Sequence, residues 1–251
     1  MTGRVLISGK RAFAAQGLKQ LLEKSGWAVE EASALGELPD GRFDAIVNFG
    51  LPREGGVEAA IEDVRRLAEF AALRGARRFI QISSLSVYDF SLTEVDASTP
   101  IDESPFKGPY SARKVAQDKF LEPLKRPFEV TFIRPGVIVA EDGSTRTGGI
   151  WMRLFGRFGI LLGSSSTPLV EAGRGELHEA IADELSRATP SKTVLVGRNT
   201  TKAEFAKRRF GAHALPLPRA ITCAMARLLL PKGRAMQVRG LFFRPRLVAD
   251  S

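Results

Sequence analysis

The sequence is poor in the side chains that build metal centres and covalent cross-links. One cysteine, Cys223, among 251 residues excludes an intramolecular disulfide and any multi-cysteine zinc or iron–sulfur site. Two histidines, His178 and His213, do not make a histidine-rich metal centre, so no metal is expected. Long apolar runs are missing as well: none reaches the roughly 18–20 residues of a membrane span. The N-terminus shows no signal-peptide h-region, and a cytoplasmic protein is the expectation. Tyrosine is scarce too, with only Tyr88 and Tyr110, so the place of each carries information. What is present in quantity is ordinary: 44% of residues are hydrophobic and 26% charged. A chain of this length buries roughly 70–75% of its unfolded surface and needs no staple.

The formal charge of +9 is unevenly spread. Residues 1–197 hold 25 basic and 26 acidic side chains, a balance of −1. The last 54 residues hold 12 basic side chains against Glu204 and Asp250, a balance of +10. The body is thus near neutral, and no nucleic-acid partner is expected, because it offers no matching basic face or motif. Residues 232–246 mix Lys232, Arg234, Arg239, Arg244 and Arg246 with Met236, Val238, Leu241, Phe242 and Phe243. Such interleaving suits peripheral contact with an anionic membrane surface. It equally suits a helix packed on the body with its cations reaching into water. Both readings stay open, as does a homodimer.

Hydrophobic patterning outlines a parallel sheet. Val5–Ser8, a strand from Trp27, Phe43–Phe49, Arg78–Ser83, Glu129–Ile133 and Thr193–Val196 are short apolar runs bounded by turn residues. Helices are expected over residues 11–24, 57–73 and 111–124, where apolar residues recur at helical spacing. Strands alternating with helices imply an α/β fold, a doubly wound parallel sheet with right-handed crossovers. Residues 89–109 carry Pro100, Pro105 and Pro109 and read as a long loop. Three parts follow: a dinucleotide-binding body over 1–140, a small, irregular substrate-binding part over 141–214 interleaved with it, and a basic, apolar tail over 215–251.

Two segments carry chemistry. The first strand leads into Ser8-Gly9-Lys10-Arg11-Ala12-Phe13-Ala14-Ala15, a turn opening a helix, where a pyrophosphate could rest on the helix N-terminus. The second is Ser83-Ser84-Leu85-Ser86-Val87-Tyr88 at a strand end, followed by Tyr110-Ser111-Ala112-Arg113-Lys114. On a helix Tyr110 and Lys114 lie one turn apart on one side. An ammonium beside a phenol favours phenolate, lowering a pKa of about 10 towards working pH and making tyrosine a usable acid or base. Ser84 could hydrogen-bond the reacting oxygen.

These segments, with Phe43–Gly50 and Phe132-Ile133-Arg134-Pro135-Gly136, resemble the extended short-chain dehydrogenase/reductases, the NAD-dependent epimerase/dehydratase-like enzymes. The likeness covers residues 3–140 well and 141–210 loosely. It implies a Rossmann-like fold, an NAD or NADP cofactor, and a small-molecule substrate bearing a hydroxyl or carbonyl, for which a nucleotide sugar is one candidate. It implies that Ser84, Tyr110 and Lys114 are catalytic. Cofactor contacts fall on Gly9, Lys10, Arg11, Ala12, Phe13, Ala15, Ser33, Asn48, Phe49, Gly50, Ser83, Tyr110, Lys114, Pro135 and Gly136. Substrate contacts fall on Ser84, Ser86 and Arg174.

Departures from the family pattern narrow the expectation. Ala12 and Ala15 replace two loop glycines, and Ser33 stands where NAD-preferring members carry Asp. Lys10 and Arg11 could pair with a 2′-phosphate and turn the choice to NADP. Leu85-Ser86 follows Ser84 in place of the Asp-Glu of sugar dehydratases, which disfavours dehydration. An oxidoreductase or epimerase is expected; the alternative is a dinucleotide-sensing or scaffold protein on the same fold.

Overall fold

Val5, Leu6 and Ile7 are wholly buried in the first strand, and Ala45, Ile46 and Val47 in its neighbour, as in a sheet covered on both faces. The computed structural model describes residues 3–33, 38–52, 55–89, 91–103, 108–123, 126–145, 151–155, 158–162, 166–210, 214–217, 221 and 246–248. In chain order the elements begin β1 (Arg4–Ser8), α1 (Leu18–Lys24), β2 (Ala28–Ala32), β3 (Ala45–Asn48), α2 (Gly56–Leu73) and β4 (Arg78–Ile82). There follow β5 (Glu94–Val95), α3 (Pro109–Leu121), β6 (Glu129–Pro135), β7 (Val137–Val139), β8 (Trp151–Phe155) and β9 (Phe158–Leu162). The chain continues with β10 (Pro168–Gly173), α4 (Arg174–Ser186), β11 (Thr193–Val196), β12 (Arg198–Thr201), α5 (Lys202–Phe210), β13 (Ala214–Leu217) and β14 (Arg246–Leu247).

Two compact units result. The first comprises Met1–Val87, Pro109–Pro135 and Arg174–Val196. Its sheet runs in the order β11-β6-β4-β3-β1-β2 with every pairing parallel. Leu6, Ile46 and Phe79 lie in register on one face and meet Val64, Leu67, Ala68 and Ala71 of α2. Those α2 residues recur at helical spacing, so one stripe of the helix is buried. α3 packs beside α2, while α1 and α4 pack together. The order reverses at β1, between β2 and β3, and in open α/β sheets ligands bind outside the strands' carboxyl ends at such a point.

The first helix starts later than its periodicity suggests. Phe13–Ala15 form one 3₁₀ turn, and α1 begins at Leu18 after Gly17. Gly17 has φ +94°, a left-handed conformation that a continuous helix from residue 11 would not allow. Gly9 also lies in the left-handed region, at φ +82°. A β-carbon there would stand 2.8 Å from the Gly50 nitrogen and 2.9 Å from the Phe49 carbonyl carbon, so the loops after β1 and β3 touch through backbone. Gly9→Ala should therefore cost about 2 kcal/mol, combining left-handed strain with a contact that rigid backbone cannot relieve. Urea unfolding checks this; an unchanged midpoint would contradict it.

The second unit comprises Tyr88–Gly108, Gly136–Gly173 and Gly197–Ser251. The chain thus passes between units at 87/88, 108/109, 135/136, 173/174 and 196/197, whereas the sequence reading drew boundaries at 140 and 214. β12-β10-β7 form one small sheet and β13-β9-β8 another, with β8 and β9 antiparallel. The expected long loop contains β5, which pairs in parallel with β14 near the chain end. Asn199 holds that end in place: its amide donates to the Leu247 carbonyl and accepts from the Leu247 nitrogen, each at 2.8 Å. Most of the basic tail, including 232–245, lies outside the described residues. No described helix is long and apolar enough to cross a membrane.

Candidate active site

The site grows from the carboxyl ends of β1, β3 and β4 in the first unit. Phe49 donates its backbone N–H to Ser8 at 2.9 Å, and Ser83 donates to Ile133 at 2.8 Å, so adjacent strand ends stay in line. Behind them runs a closed circuit of amides. Asn48 Nδ2 donates to Gln81 Oε1 at 2.8 Å, Gln81 Nε2 to Gln117 Oε1 at 3.1 Å, and Gln117 Nε2 to the Gly50 carbonyl at 3.1 Å. The Gly50 nitrogen closes the circuit on Asn48 Oδ1 at 2.8 Å. Asn48 is one of the expected cofactor contacts, and its amide is engaged within the protein. Gln81 and Gln117 were not among those expected.

α3 supplies the reactive groups. Pro109 opens it, where a missing N–H costs nothing, and its buried side carries Ser111, Lys114, Val115 and Asp118. This is helical spacing filled mostly by polar residues. Tyr110 is 48% exposed overall, and Ser84 lies close enough to act on its phenol. Burial raises the phenol's pKa and the Asp118 charge adds to the rise; the Ser84 bond and Arg113 oppose it. The Ser84 hydroxyl also accepts the Ser86 N–H at 3.2 Å.

Lys114 is 4% exposed and lies on the same side of the helix, as expected. Its Nζ donates to the Ile82 carbonyl at 2.7 Å and to Gln117 Oε1 at 3.4 Å. Burial brings its pKa down to about 8, opposed by the Asp118 charge. The protein alone therefore differs from the expectation that lysine would depress the phenol: desolvation dominates both groups. A lysine ammonium has three protons, and two acceptors are filled here.

Below Lys114, Asp118 Oδ2 accepts from Ser83 Oγ at 2.7 Å and from Arg134 Nη2 at 3.2 Å. Burial lifts the Asp118 pKa to about 6, against the pull of Arg134, Ser83 and Lys114. Ser83, one of the expected cofactor contacts, gives its hydroxyl to Asp118. Asp118 carried one readable signal, its place one turn after Lys114 on a helix side without an apolar stripe.

The loop after β1 is braced from two directions. The Gly9 and Lys10 nitrogens both donate to the Ala32 carbonyl, at 2.8 and 3.1 Å, which brings the loop beside the end of β2 and Ser33. Lys10 and Arg11 are exposed, while Ala15 is buried. From the start of α4, Arg174 Nη1 donates to Gln16 Oε1 at 3.3 Å and its guanidinium lies 5.4 Å from the Phe13 ring. His178 Nε2 meets the Ala14 carbonyl at 2.8 Å, which requires the Nε2–H form. Arg174, expected on substrate, here contacts Gln16 and Phe13 in the segment after β1. Pro135 is buried at the end of β6, and Gly136 belongs to the second unit, where a β-carbon would collide with the Val170 carbonyl.

An open parallel sheet with helices on both faces and Ser84, Tyr110 and Lys114 near its carboxyl edge is a Rossmann-like fold. Residues 23–173 match the NAD dependent epimerase/dehydratase family, and the chain belongs to it. A search of curated proteins returns no match. Among solved structures, a human epimerase family protein with NADPH is similar with TM-score 0.71 and 19% identity, over 98% of this chain and 90% of that one. A short-chain dehydrogenase/reductase superfamily protein from Agrobacterium tumefaciens with bound NAD gives TM-score 0.68 and 14% identity, over 95% and 96%. The dTDP-4-dehydrorhamnose reductase of Bacillus anthracis in complex with NADP gives 0.66 and 15%, over 96% and 99%. At these identities the likeness is one of fold.

Proposed function

We propose that the chain is an NAD(P)-dependent oxidoreductase or epimerase acting on a hydroxyl- or carbonyl-bearing small molecule. One observation supports the reading: Ser84 at the strand end acts on the Tyr110 phenol, one helix turn before Lys114, whose buried ammonium holds the Ile82 carbonyl and Gln117. The nicotinamide, when bound, exchanges hydride with the substrate carbon. The protein positions and moves protons. Ser84 holds the reacting oxygen, Tyr110 gives or takes the proton there, and Lys114 binds the nicotinamide ribose. The loop after Gly9 receives the pyrophosphate through its backbone. The NADPH, NAD and NADP named with the solved neighbours support a dinucleotide here.

NADPH is the form the loop favours. Ser33 brings no carboxylate to the end of β2, and the Lys10–Ala32 bond sets Lys10 and Arg11 beside it, cations suited to a 2′-phosphate. Titration of the protein with NADPH and NADH by fluorescence should give saturable binding of both, with NADPH about ten-fold tighter. No binding of either at millimolar concentration would sink the enzyme reading and leave the scaffold alternative. Equal affinities would remove the role given to Lys10 and Arg11.

A further inference from the structure

We infer that Asp118 is a positioning residue that ties the strand end bearing Ser84 to the helix bearing Tyr110 and Lys114, and that its negative charge keeps Lys114 an ammonium. The inference rests on the reading of those three residues as the reacting site. Asp118 is 1% exposed and sits one turn beyond Lys114, two beyond Tyr110. Its Oδ2 accepts the hydroxyl of Ser83 at 2.7 Å, and Ser83 stands between two residues of the site. On one side Ile82 offers the carbonyl that holds Lys114 at 2.7 Å; on the other is Ser84, which acts on the Tyr110 phenol. Fixing Ser83 therefore fixes both. The same oxygen accepts Arg134 from β6, and Ser83 donates its own N–H to Ile133 of β6. Helix α3 and strands β4 and β6 are closed into one circuit through this carboxylate.

The buried pair with Arg134 engages one oxygen of the acid. The Oδ1 atom of Asp118 is buried without a hydrogen-bond partner among the described residues, an arrangement that native proteins rarely keep without a use. What the acid adds is charge. The charged groups acting on Lys114 are Asp118 and Arg113 from α3 itself, and those acting on Asp118 are Lys114 from α3 and Arg134 from β6. Of these only Asp118 favours the ammonium of Lys114, against a burial that favours the neutral amine. A neutral amine has two protons, which the Ile82 carbonyl and Gln117 already take, and would leave none for a ribose hydroxyl.

Asp118→Asn keeps the shape and the acceptor for Ser83 but removes the charge. Side-chain NMR titration of Lys114, without added dinucleotide, should show its midpoint fall by about one pH unit or more from the parent value. An unchanged midpoint in the folded variant would overturn the inference. Because no dinucleotide is added, this result is independent of whether the protein binds one. Asp118→Glu keeps the charge while moving the acceptor, and it serves if the Asn variant fails to fold. It should hold the Lys114 midpoint while kcat falls about ten-fold at unchanged cofactor affinity. A lost midpoint or unaltered kcat in Asp118→Glu would equally overturn the assignment.

Discussion

Tyr110→Phe should lower turnover by about 10²- to 10⁴-fold while leaving NADPH affinity within a few-fold of the parent. The substitution removes one hydroxyl and keeps the ring, so it isolates the proton that Tyr110 moves. The Ser84 hydroxyl keeps the Ser86 N–H at 3.2 Å in the variant, so it is not stranded. Stability should change by about 1 kcal/mol at most, the net worth of one hydrogen bond, for a residue that is 48% exposed. The raised phenol pKa gives the pH dependence its sign. Below that pKa the phenol carries its proton, so donation to a substrate carbonyl should be level through neutral pH and fall as the group ionises. Oxidation of an alcohol needs the phenolate and should rise over the same range. Steady-state NADPH oxidation over a panel of carbonyl compounds, followed from neutral to alkaline pH, measures both. Turnover unaltered in Tyr110→Phe would remove Tyr110 from the chemistry, whatever the cofactor result.

The parts of this protein that were legible before the fold are those with a local signature. Val5–Ser8 and Arg78–Ser83 are apolar runs bounded by turns, and a strand buried on both faces has no other way to look. The placement of Tyr110 and Lys114 on one helix, near the strand end before Ser84, was legible because one helix turn separates them; their roles came from the family resemblance. The amide circuit was not. Asn48 pairs with Gln81 across 33 residues and Gln81 with Gln117 across 36, and a glutamine inside a strand or helix looks the same in sequence whether it faces water or another amide. The late start of α1 was hidden for a different reason. Its apolar spacing continues through Phe13 and Ala14, and only the backbone at Gly17 shows that the helix has not yet begun. The pairing of β5 with β14 joins two short strands from distant parts of the chain and carries no periodicity at all. Arg174 was assigned by family position to substrate, and its partners Phe13 and Gln16 lie in a loop more than 150 residues earlier; Arg174 and Gln16 are 158 apart.

Arg134→Met should destabilise the protein by about 3–5 kcal/mol near pH 8, the cost of leaving a buried carboxylate without its cation. Arg134 and Asp118 are both almost fully buried and lie 3.2 Å apart, so water does not replace the lost partner. The pH dependence separates this cause from a plain loss of packing. In the parent Asp118 titrates at about 6 in the folded state, above its ordinary value of 3.8. An acid whose folded pKa is raised binds protons more tightly when folded, so it stabilises at low pH. That contribution is lost as pH rises through the folded pKa. Removing Arg134, the strongest of the groups that pull this pKa down, raises it further and extends the loss to higher pH. The parent and the variant should therefore converge in urea midpoint near pH 5, where Asp118 is protonated in both, and separate progressively towards pH 8. Curves displaced by the same amount at every pH would mean that only side-chain volume was lost. Asp118→Asn in the Arg134→Met background supplies the complementary measurement: with no carboxylate left to ionise, the separation between pH 5 and pH 8 should vanish. Its persistence would place the titrating group elsewhere in the site.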